Sequence, residues 1–433
     1  SSYPRLFSQG ASASRVRSRV RHSSVSSWVP RATVASRLSG KHSKRRITAC
    51  RAVRRPASFS GLGMLTVLTI DMSKGLPSVD SDSLMTDAQT VYASKGSLYV
   101  ATQRWLREPA GNQPLPEVST AIHRFDISDA DRTDYLASGV VSGLLLNQWS
   151  LSEYKGDLRV ASTDQPIWFE GGQQQTSQSS LTVLRREAGG LVPVGHVGGL
   201  GKGQRIYAVR FIDDVGFIVT FRQIDPLYTL DLSNPTAPRV RGKLELQGYS
   251  AYLHPVGKDL LLGIGQDANA QGQTQGTQLS LFDVSDLDHP TRIAQHAIGS
   301  SSSSPVEYDH HAFLFWPPSQ LAVLPISIYG GQTGGGSPPS GGGGAPAQQP
   351  QNQDFTGAIG FRVNRGSGIA EAGRVKHEVG QLIAPISRSL VVGDRLFTVS
   401  GMGVKSSTLD TLAERGWVAF PDGQPPQPQP ATP

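Results

Sequence analysis

The sequence predicts an all-β protein, a β-propeller with about six recognisable blades. The chain has 433 residues, more than one ordinary hydrophobic core usually organises, so several domains or one repetitive architecture is expected. Its 48 Gly and 29 Pro interrupt any long helical pattern and favour short strands joined by turns. Paired strand patterns also recur along the chain, which is typical of repeat architectures.

The repeating element is a hairpin, in which two short β-prone runs flank turn residues. Six copies are recognised, at 91–102, 149–163, 206–221, 251–265, 311–326 and 390–400. Their turns advance by 41 to 75 residues, whereas known blade repeats are about 40 to 50 residues long. Polar inserts account for the excess, and they lie at 171–180, 267–278, 300–304 and 330–354.

A second unit follows most hairpins, an apolar strand that ends in Asp and leads through a polar turn into another strand. Clear copies occur at 122–129, 227–235 and 279–286, and weaker ones at 181–185 and 358–364. The Asp and Ser side chains of these turns are short acceptors that can cap backbone N–H groups, so we expect a structural role for them rather than a catalytic one. Hairpin and second unit together make a four-stranded blade.

The two ends of the repeat region suggest how the ring is organised. Residues 65–72 resemble the outer half of a blade, and the last hairpin at 390–400 with 408–409 could supply the inner half. Such a closure would remove exposed sheet edges. An incomplete ring is the competing arrangement.

The chain outside the repeats differs in composition. Residues 1–56 carry 14 Lys/Arg and no Asp or Glu, and they are predicted to be a basic, poorly ordered connector. The propeller spans 57–420, with a Gly/Pro/Gln-rich loop at 330–354, and 421–433 form a Pro/Gln-rich disordered tail. No nucleic-acid partner is expected, because Trp28 is the one stacking aromatic between Arg15 and Pro56 and no recognition element follows.

Cysteine content and hydropathy exclude further classes. Cys50 is the only cysteine, so neither an intrachain disulfide nor a multi-thiolate metal site is possible. Neither a signal-peptide pattern nor a run of transmembrane length is found, and the chain starts at Ser1, which suggests a processed or truncated product.

Several segments together resemble bacterial secreted proteins with a C-terminal β-propeller domain distantly related to WD40 repeats. They are 59–71, 99–105, 208–211, 219–228, 252–255 and 308–313. The resemblance implies a secreted or envelope-associated protein without an established activity. It also implies a longer N-terminal part, so that the ring seen here would lack a blade or two.

A ligand is expected on one face of the ring. Connections between the second and third strands of each blade, and connections between blades, emerge on the same face, and loops on a rigid scaffold often carry binding groups. The predicted ligand-binding residues are Arg104, Trp105, Asp164, Arg222, Gln223, Asp225, Gln266 and Asp309. The same reasoning places Gln103, Gln165, Asp267, Asn147, Arg205 and Tyr249 on this face. The expected partner is an unknown protein, peptide or glycan.

Two segments offer metal-type ligands, although no cofactor is the primary expectation. Asp267 and Asn269 match the first half of an oxygen-rich calcium loop, but Gln278 stands where a bidentate Glu would be needed. The run 309–311, Asp-His-His, is predicted to lie on a strand, where consecutive side chains diverge. Its conceivable distant partners are His254 and His289, and a structural Tyr/Asp/His network is the favoured interpretation.

Two functions remain open. The first is a non-enzymatic exported binding or scaffold domain, and the second is an envelope hydrolase or lyase with a site at the channel, possibly metal-dependent. Nucleophilic catalysis lacks a sequence signature, because 139–143 has the wrong spacing for a Gly-x-Ser-x-Gly elbow. Converging carboxylates and histidines would favour the enzyme, whereas exposed Trp105, Trp168 and Tyr228 beside polar groups would favour binding.

Overall fold

A computed structural model describes most of the chain. The described residues are 48–56, 60–71, 78–105, 118–164, 177–188, 190–222, 225–269, 271–329 and 354–421, with the backbone of 33–35 and 44–46. They form strands and five 3-10 helices, at Cys50–Ala52, Gln148–Ser150, Pro305–Glu307, His310–Ala312 and Pro317–Ser319. No helix in this described part is long and apolar enough to span a membrane.

Six four-stranded antiparallel units, blades I to VI, follow one another along the described chain. A parallel pairing of Gly190 with Ser138 joins blades I and II into one eight-stranded sheet. Blade I comprises Thr90–Ala93, Ser97–Trp105, Val118–Asp126 and Asp134–Ser142. Blade II comprises Leu151–Tyr154, Asp157–Thr163, Ser179–Glu187 and Gly190–Leu200. Blade III comprises Arg205–Ile212, Val215–Phe221, Asp225–Asp231 and Arg239–Leu246.

The remaining blades repeat the same order. Blade IV comprises Tyr249–Pro255, Leu260–Ala268, Thr274–Asp283 and Thr291–Ala297. Blade V comprises Leu314–Trp316, Leu321–Ile328, Phe355–Asn364 and Gly368–Val375, and Ser302–Ser303 also pairs with its second strand. Blade VI comprises Ile386–Val392, Arg395–Ser400, Gly403–Thr408 and Glu414–Ala419. These six four-stranded units confirm the predicted hairpins and the propeller fold.

Three smaller sheets complete the described strands. Two are two-stranded hairpins, Thr33–Ala35 with Lys44–Arg46, and His377–Val379 with Leu382–Ala384. The third is three-stranded and consists of Val53–Arg54, Leu65–Ile70 and Ser78–Leu84.

The three-stranded sheet bears on the predicted ring closure. Its strand Leu65–Ile70 pairs with Ser78–Leu84 in antiparallel fashion, and Val53–Arg54 pairs in parallel with the same strand. The last hairpin does not complete this sheet, because it pairs with the third strand of its own blade. The predicted closure by this hairpin was wrong. The fourth strand of blade VI, Glu414–Ala419, was not recognised in the sequence because it begins with polar residues.

Each hydrophobic core lies between two successive sheets. Leu158 of blade II packs with Tyr99 and Ile122 of blade I, and all three side chains are fully buried. The same arrangement recurs between II and III, III and IV, IV and V, and V and VI. Face-to-face packing of consecutive sheets is what a propeller requires, and it fixes the innermost first strands around an axis.

The Asp turns at the ends of third strands are structural, as predicted. The Oδ1 atoms of Asp126, Asp231 and Asp283 accept the backbone N–H two residues on, at 2.9, 3.0 and 3.1 Å. Hydrogen bonds from the side chain and backbone of Ser233 lower the pKa of Asp231 to about 2. The carboxylates of these turns therefore serve local backbone capping.

Candidate functional site

The predicted ligand-binding residues occupy different environments at the end of the blades where first strands begin and second strands end, here called the loop face. Arg104 and Asp164 are half-buried, and the Asp164 N–H donates to the Gln178 carbonyl at 2.9 Å. Arg222 is exposed at the end of the second strand of blade III. The Trp105 side chain and all of Gln223 lie outside the described residues.

Asp225 faces the interior instead of the loop surface. Its side chain is only 3% exposed, and its Oδ2 accepts the Ser250 N–H at 3.2 Å across the interface of blades III and IV. Burial raises the pKa of Asp225 well above the ordinary value. An exposed ligand therefore does not meet this carboxyl directly.

Three aromatic rings, here called the Tyr207 cluster, gather on the loop face between blades III and IV. The ring of Tyr207 lies 4.6 Å from that of Tyr249 and 5.5 Å from that of Phe221, and Phe221 and Tyr249 are 4.9 Å apart. The Arg205 guanidinium lies 4.7 Å from the Tyr207 ring, and its Nη2 donates to the Tyr207 hydroxyl at 3.0 Å. The cluster combines stacking surface with hydrogen-bonding groups.

A carboxyl group borders the Tyr207 cluster. Gln266 donates its amide to Glu307, and the Tyr249 hydroxyl is also hydrogen-bonded to this side chain. Burial raises the pKa of Glu307, and burial followed by the nearby charge of Glu307 raises that of Tyr249. The structure thus brings the predicted Arg205, Tyr249 and Gln266 together with Glu307, which sequence reasoning missed.

A second group of side chains, here called the axial cluster, fills the centre of the ring. Trp149 precedes the first strand of blade II, and its ring lies 6.2 Å from Tyr252 of blade IV and 5.0 Å from His310 of blade V. The Arg210 guanidinium of blade III lies 4.3 Å from the Trp149 ring centroid. The Tyr252 hydroxyl and His254 Nδ1 are 3.1 Å apart. Four blades therefore contribute to one contact network.

The electrostatics of the axial cluster are unbalanced. Burial lowers the pKa of Arg210, and the atoms Arg210 Nη1 and Trp149 Nε1 are buried without an acceptor among the described residues. A desolvated cation–π contact is worth about 2 kcal/mol. The desolvation of an unpaired ion costs several kcal/mol, so stacking on Trp149 does not by itself compensate the Arg210 charge.

Residues 309–311 do not lie on a strand, contrary to the prediction. Asp309 caps the 3-10 helix His310–Ala312, accepting the His311 N–H at 3.1 Å, so the two imidazole rings lie 3.9 Å apart instead of diverging. Ligand atoms of Asp309, His310 and His311 all lie within 4.8 Å of one another, the one such set found in the described part of the chain.

Asp309 and His310 already have polar partners within the protein. Arg388 Nη1 lies 2.9 Å from Asp309 Oδ2, and Gln148 Nε2 lies 3.1 Å from His310 Nδ1. The proposed distant partners are elsewhere, since His254 belongs to the axial cluster and His289 pairs with Asp286 at 2.9 Å. A divalent cation at Asp309 would have to lie beside the Arg388 guanidinium, which opposes binding.

The weak calcium candidate at 267–272 uses its oxygens internally. Asn269 Oδ1 accepts the N–H groups of Gln271 and Gln273, both at 3.0 Å. Asp267 Oδ1 accepts the N–H of Ala268 at 3.0 Å. The side-chain oxygens thus close the loop on itself, and a bound ion would have to compete with these amides.

Comparison with known proteins identifies the family. A family model described as a beta propeller domain matches residues 3–412. The chain belongs to this family. An uncharacterised protein of Methanocaldococcus jannaschii is 40% identical over 188 residues, which cover 43% of this propeller chain and 28% of that protein. An uncharacterised protein of Archaeoglobus fulgidus is 42% identical over 194 residues, 45% of this chain and 28% of its own length. The chain therefore aligns with less than a third of either relative.

Proposed function

We propose that this propeller is a non-enzymatic recognition domain, exported or envelope-associated, that holds a protein, peptide or glycan on its loop face. The Tyr207 cluster carries the proposal, because aromatic surface with a few convergent polar groups is the usual composition of ligand sites. Export, and a relationship to WD40-like bacterial secreted proteins, are supported by the sequence resemblance.

The arrangement of side chains favours binding over catalysis. Aromatic rings converge on the loop face, whereas the nearby carboxyls are separated and engaged. Asp225 is buried between blades, and Asp309 pairs with Arg388. The aromatics differ from those anticipated, since Tyr228 is only 9% exposed and Trp168 lies outside the described residues.

The competing proposal, an envelope hydrolase or lyase, draws its support from the proximity of Asp309, His310 and His311. In its metal-dependent form, this proposal places a divalent ion between these groups. Purified protein that contains stoichiometric metal, and whose melting temperature falls in EDTA, would favour that form. Metal-free protein without an EDTA response would exclude the metal-dependent form.

The binding proposal is tested with immobilised propeller exposed to peptide and glycan libraries, bound species being measured by mass spectrometry. Tyr207→Ala removes an aromatic ring from the cluster, and Arg222→Ala removes an exposed charge from the same face. Loss of a central aromatic anchor is expected to weaken binding by about tenfold or more. Lys258→Ala is the matched control, because this exposed lysine lies in the turn at the opposite end of blade IV.

The two variants separate a wrong site from a damaged fold. Tyr207→Ala could disturb the interface of blades III and IV, so its melting temperature is measured alongside. Arg222 is exposed and should leave stability unchanged. If both variants bind like the wild type while remaining folded, the loop face is not the binding surface.

A further inference from the structure

We infer that Arg210 and Trp149 form an anion site at the propeller axis whose natural occupant is a carboxylate of the bound ligand. The assignment of the occupant rests on the proposed recognition function. The anion site itself does not, because it follows from the side chains of the axial cluster. A carboxylate here would be an acidic side chain or a C-terminus of a peptide, or a uronic acid of a glycan.

Two orphan hydrogen-bond donors mark the site. The guanidinium of Arg210 stacks on Trp149 at 4.3 Å, and within the described structure neither Arg210 Nη1 nor Trp149 Nε1 has an acceptor. Both groups donate only, so no tautomer or rotamer of either can satisfy the other. Both groups therefore need a hydrogen-bond acceptor from outside the cluster.

The surroundings supply no counter-charge. Blade IV presents Tyr252 and His254, blade V presents His310, and no described carboxylate forms an ion pair with Arg210. Burial, followed by the positive charge of Arg210, lowers the pKa of His254 to about 4, so this imidazole is neutral at pH 7. Asp309, the acid next to His310, is paired with Arg388 at 2.9 Å.

Arg159 shows how the same fold treats a comparable arginine. Its guanidinium stacks on Tyr154 and Phe211, each at 4.9 Å, which resembles the stacking of Arg210. Unlike Arg210, it also donates from Nη2 to Ser152 Oγ at 2.6 Å and from Nη1 to the Asp213 carbonyl. Arg159 thus combines stacking with two hydrogen bonds, and only its Nε is buried without an acceptor, whereas no hydrogen bond from the Arg210 guanidinium is found among the described residues.

The charge and shape of the site favour a carboxylate. A single guanidinium matches a monoanion, and its parallel N–H groups fit a planar carboxylate in bidentate fashion. A phosphate ester carries up to two charges and needs more donors than the cluster offers. The site is not sealed from solvent, because four of its side chains are only half-buried: Trp149, Arg210, His254 and His310.

The site is tested with sodium formate and sodium chloride as probes, at equal ionic strength, by the melting temperature and by titration calorimetry. Formate should raise the melting temperature of the wild-type protein by a few degrees more than chloride does. Arg210→Gln should abolish that difference. Arg159→Gln is the control, expected to melt at a lower temperature and to keep the formate response.

A second variant keeps the test decisive if Arg210→Gln fails to fold. Trp149→Phe keeps an aromatic ring for stacking on Arg210 and removes the pyrrole ring with its N–H, so formate affinity should fall several-fold. Absence of a formate response in the wild type, or an unchanged response in Arg210→Gln, would overturn the anion site. An equal response to chloride would overturn the carboxylate assignment. Library binding that depends on Tyr207 but not on Arg210 would overturn the inference alone, and a formate response without library binding would overturn only the proposed function.

Discussion

The Asp309 carboxylate of blade V lies 2.9 Å from the Arg388 guanidinium of blade VI, and the same carboxylate caps the 3-10 helix that carries His310. One side chain thus joins two blades and orients a histidine toward the axis. Both partners are partly exposed, with 31% and 47% of their side chains accessible, so solvent weakens the ion pair.

Asp309→Ala should destabilise the protein by about 1 kcal/mol, mainly through loss of the cap and less through loss of the ion pair. Denaturant unfolding measures this free energy. Asp394→Ala is the control, because that side chain is 96% exposed and its Oδ1 lies as far as 4.0 Å from Arg395 Nε, which makes a weak ion pair. This variant should change stability by less than about 0.5 kcal/mol. Equal losses in the two variants would contradict the bridging role.

Stability should fall as pH is lowered from about 6.5 toward 4, because of histidines that are buried in the neutral form. His377 is fully buried, and its ring nitrogens lie 2.7 Å from Ser400 Oγ and 2.8 Å from Thr398 Oγ1. Burial lowers the pKa of His377 to about 4, and burial does the same for His123. As the pH falls, the unfolded chain binds protons before the folded protein does. The folded state therefore has its full stability above pH 6.5 and loses stability toward pH 4.

The measurement is the free energy of unfolding at pH 7 and pH 5. His377→Gln should be less stable at pH 7 and should show a smaller loss between the two pH values. His289→Gln is the control, since this exposed histidine pairs with Asp286, which raises the pKa of His289. This variant should lose about as much stability between pH 7 and pH 5 as the wild type does. A wild-type protein equally stable at both pH values would refute the assignment.

Gly248→Ala should disturb the loop face more than another left-handed glycine does. Gly248 has φ +80°, and a Cβ there would lie 2.4 Å from the Gln266 carbonyl, just before Tyr249. Gly393 has φ +62° with nothing within 4 Å of an added Cβ. Gly393→Ala should cost about 1 kcal/mol from backbone strain alone, and Gly248→Ala clearly more.

Thermal melts and near-ultraviolet circular dichroism compare the two glycine variants. The Gly248→Ala spectrum should change as well, because Tyr249 packs on Tyr207 and Phe221. Similar melting temperatures for both variants would show that the turn before Tyr249 relaxes without strain.

Glu307→Gln should fold with stability equal to or above that of the wild type at pH 7. Burial raises the pKa of Glu307, so the charged form is disfavoured in the fold, and an amide keeps an oxygen for the bond from Gln266. Glu307→Ala leaves Gln266 and the Tyr249 hydroxyl without this acceptor and should be less stable by about 1 to 3 kcal/mol. Denaturant titration at pH 7 compares the two, and a glutamine variant as unstable as the alanine variant would mean that the charge itself is required.

Sequence patterns predicted the hairpins because turn residues and alternating burial are local properties. Arg205, Tyr249 and Gln266 were placed on the loop face by strand order alone. Tyr207 and Glu307 escaped, although Ser304 followed by Pro305 is a local start signal for the helix that carries Glu307. Capping by Asp309 likewise signals the turn that brings the two histidines together.

The axial cluster was not predictable from the sequence. Arg210 occurs in a run whose pattern indicates an ordinary strand, and a lone arginine there suggests a solvated face. Its contact with Trp149 joins residues 61 positions apart through the packing of two blades. Only the packed blades show that no described carboxylate pairs with the Arg210 guanidinium, and that His310 lies 5.0 Å from the same indole.

Cores that lie only between successive sheets make the protein behave as a one-dimensional array, in which a lesion is felt chiefly by the next blade. Trp149 breaks that rule, because one indole contacts Arg210, Tyr252 and His310 on three other blades. Unfolding of the middle blades is therefore coupled across the ring as well as around it. Truncating this one side chain should leave coupling only between neighbouring blades and broaden a transition that is otherwise cooperative.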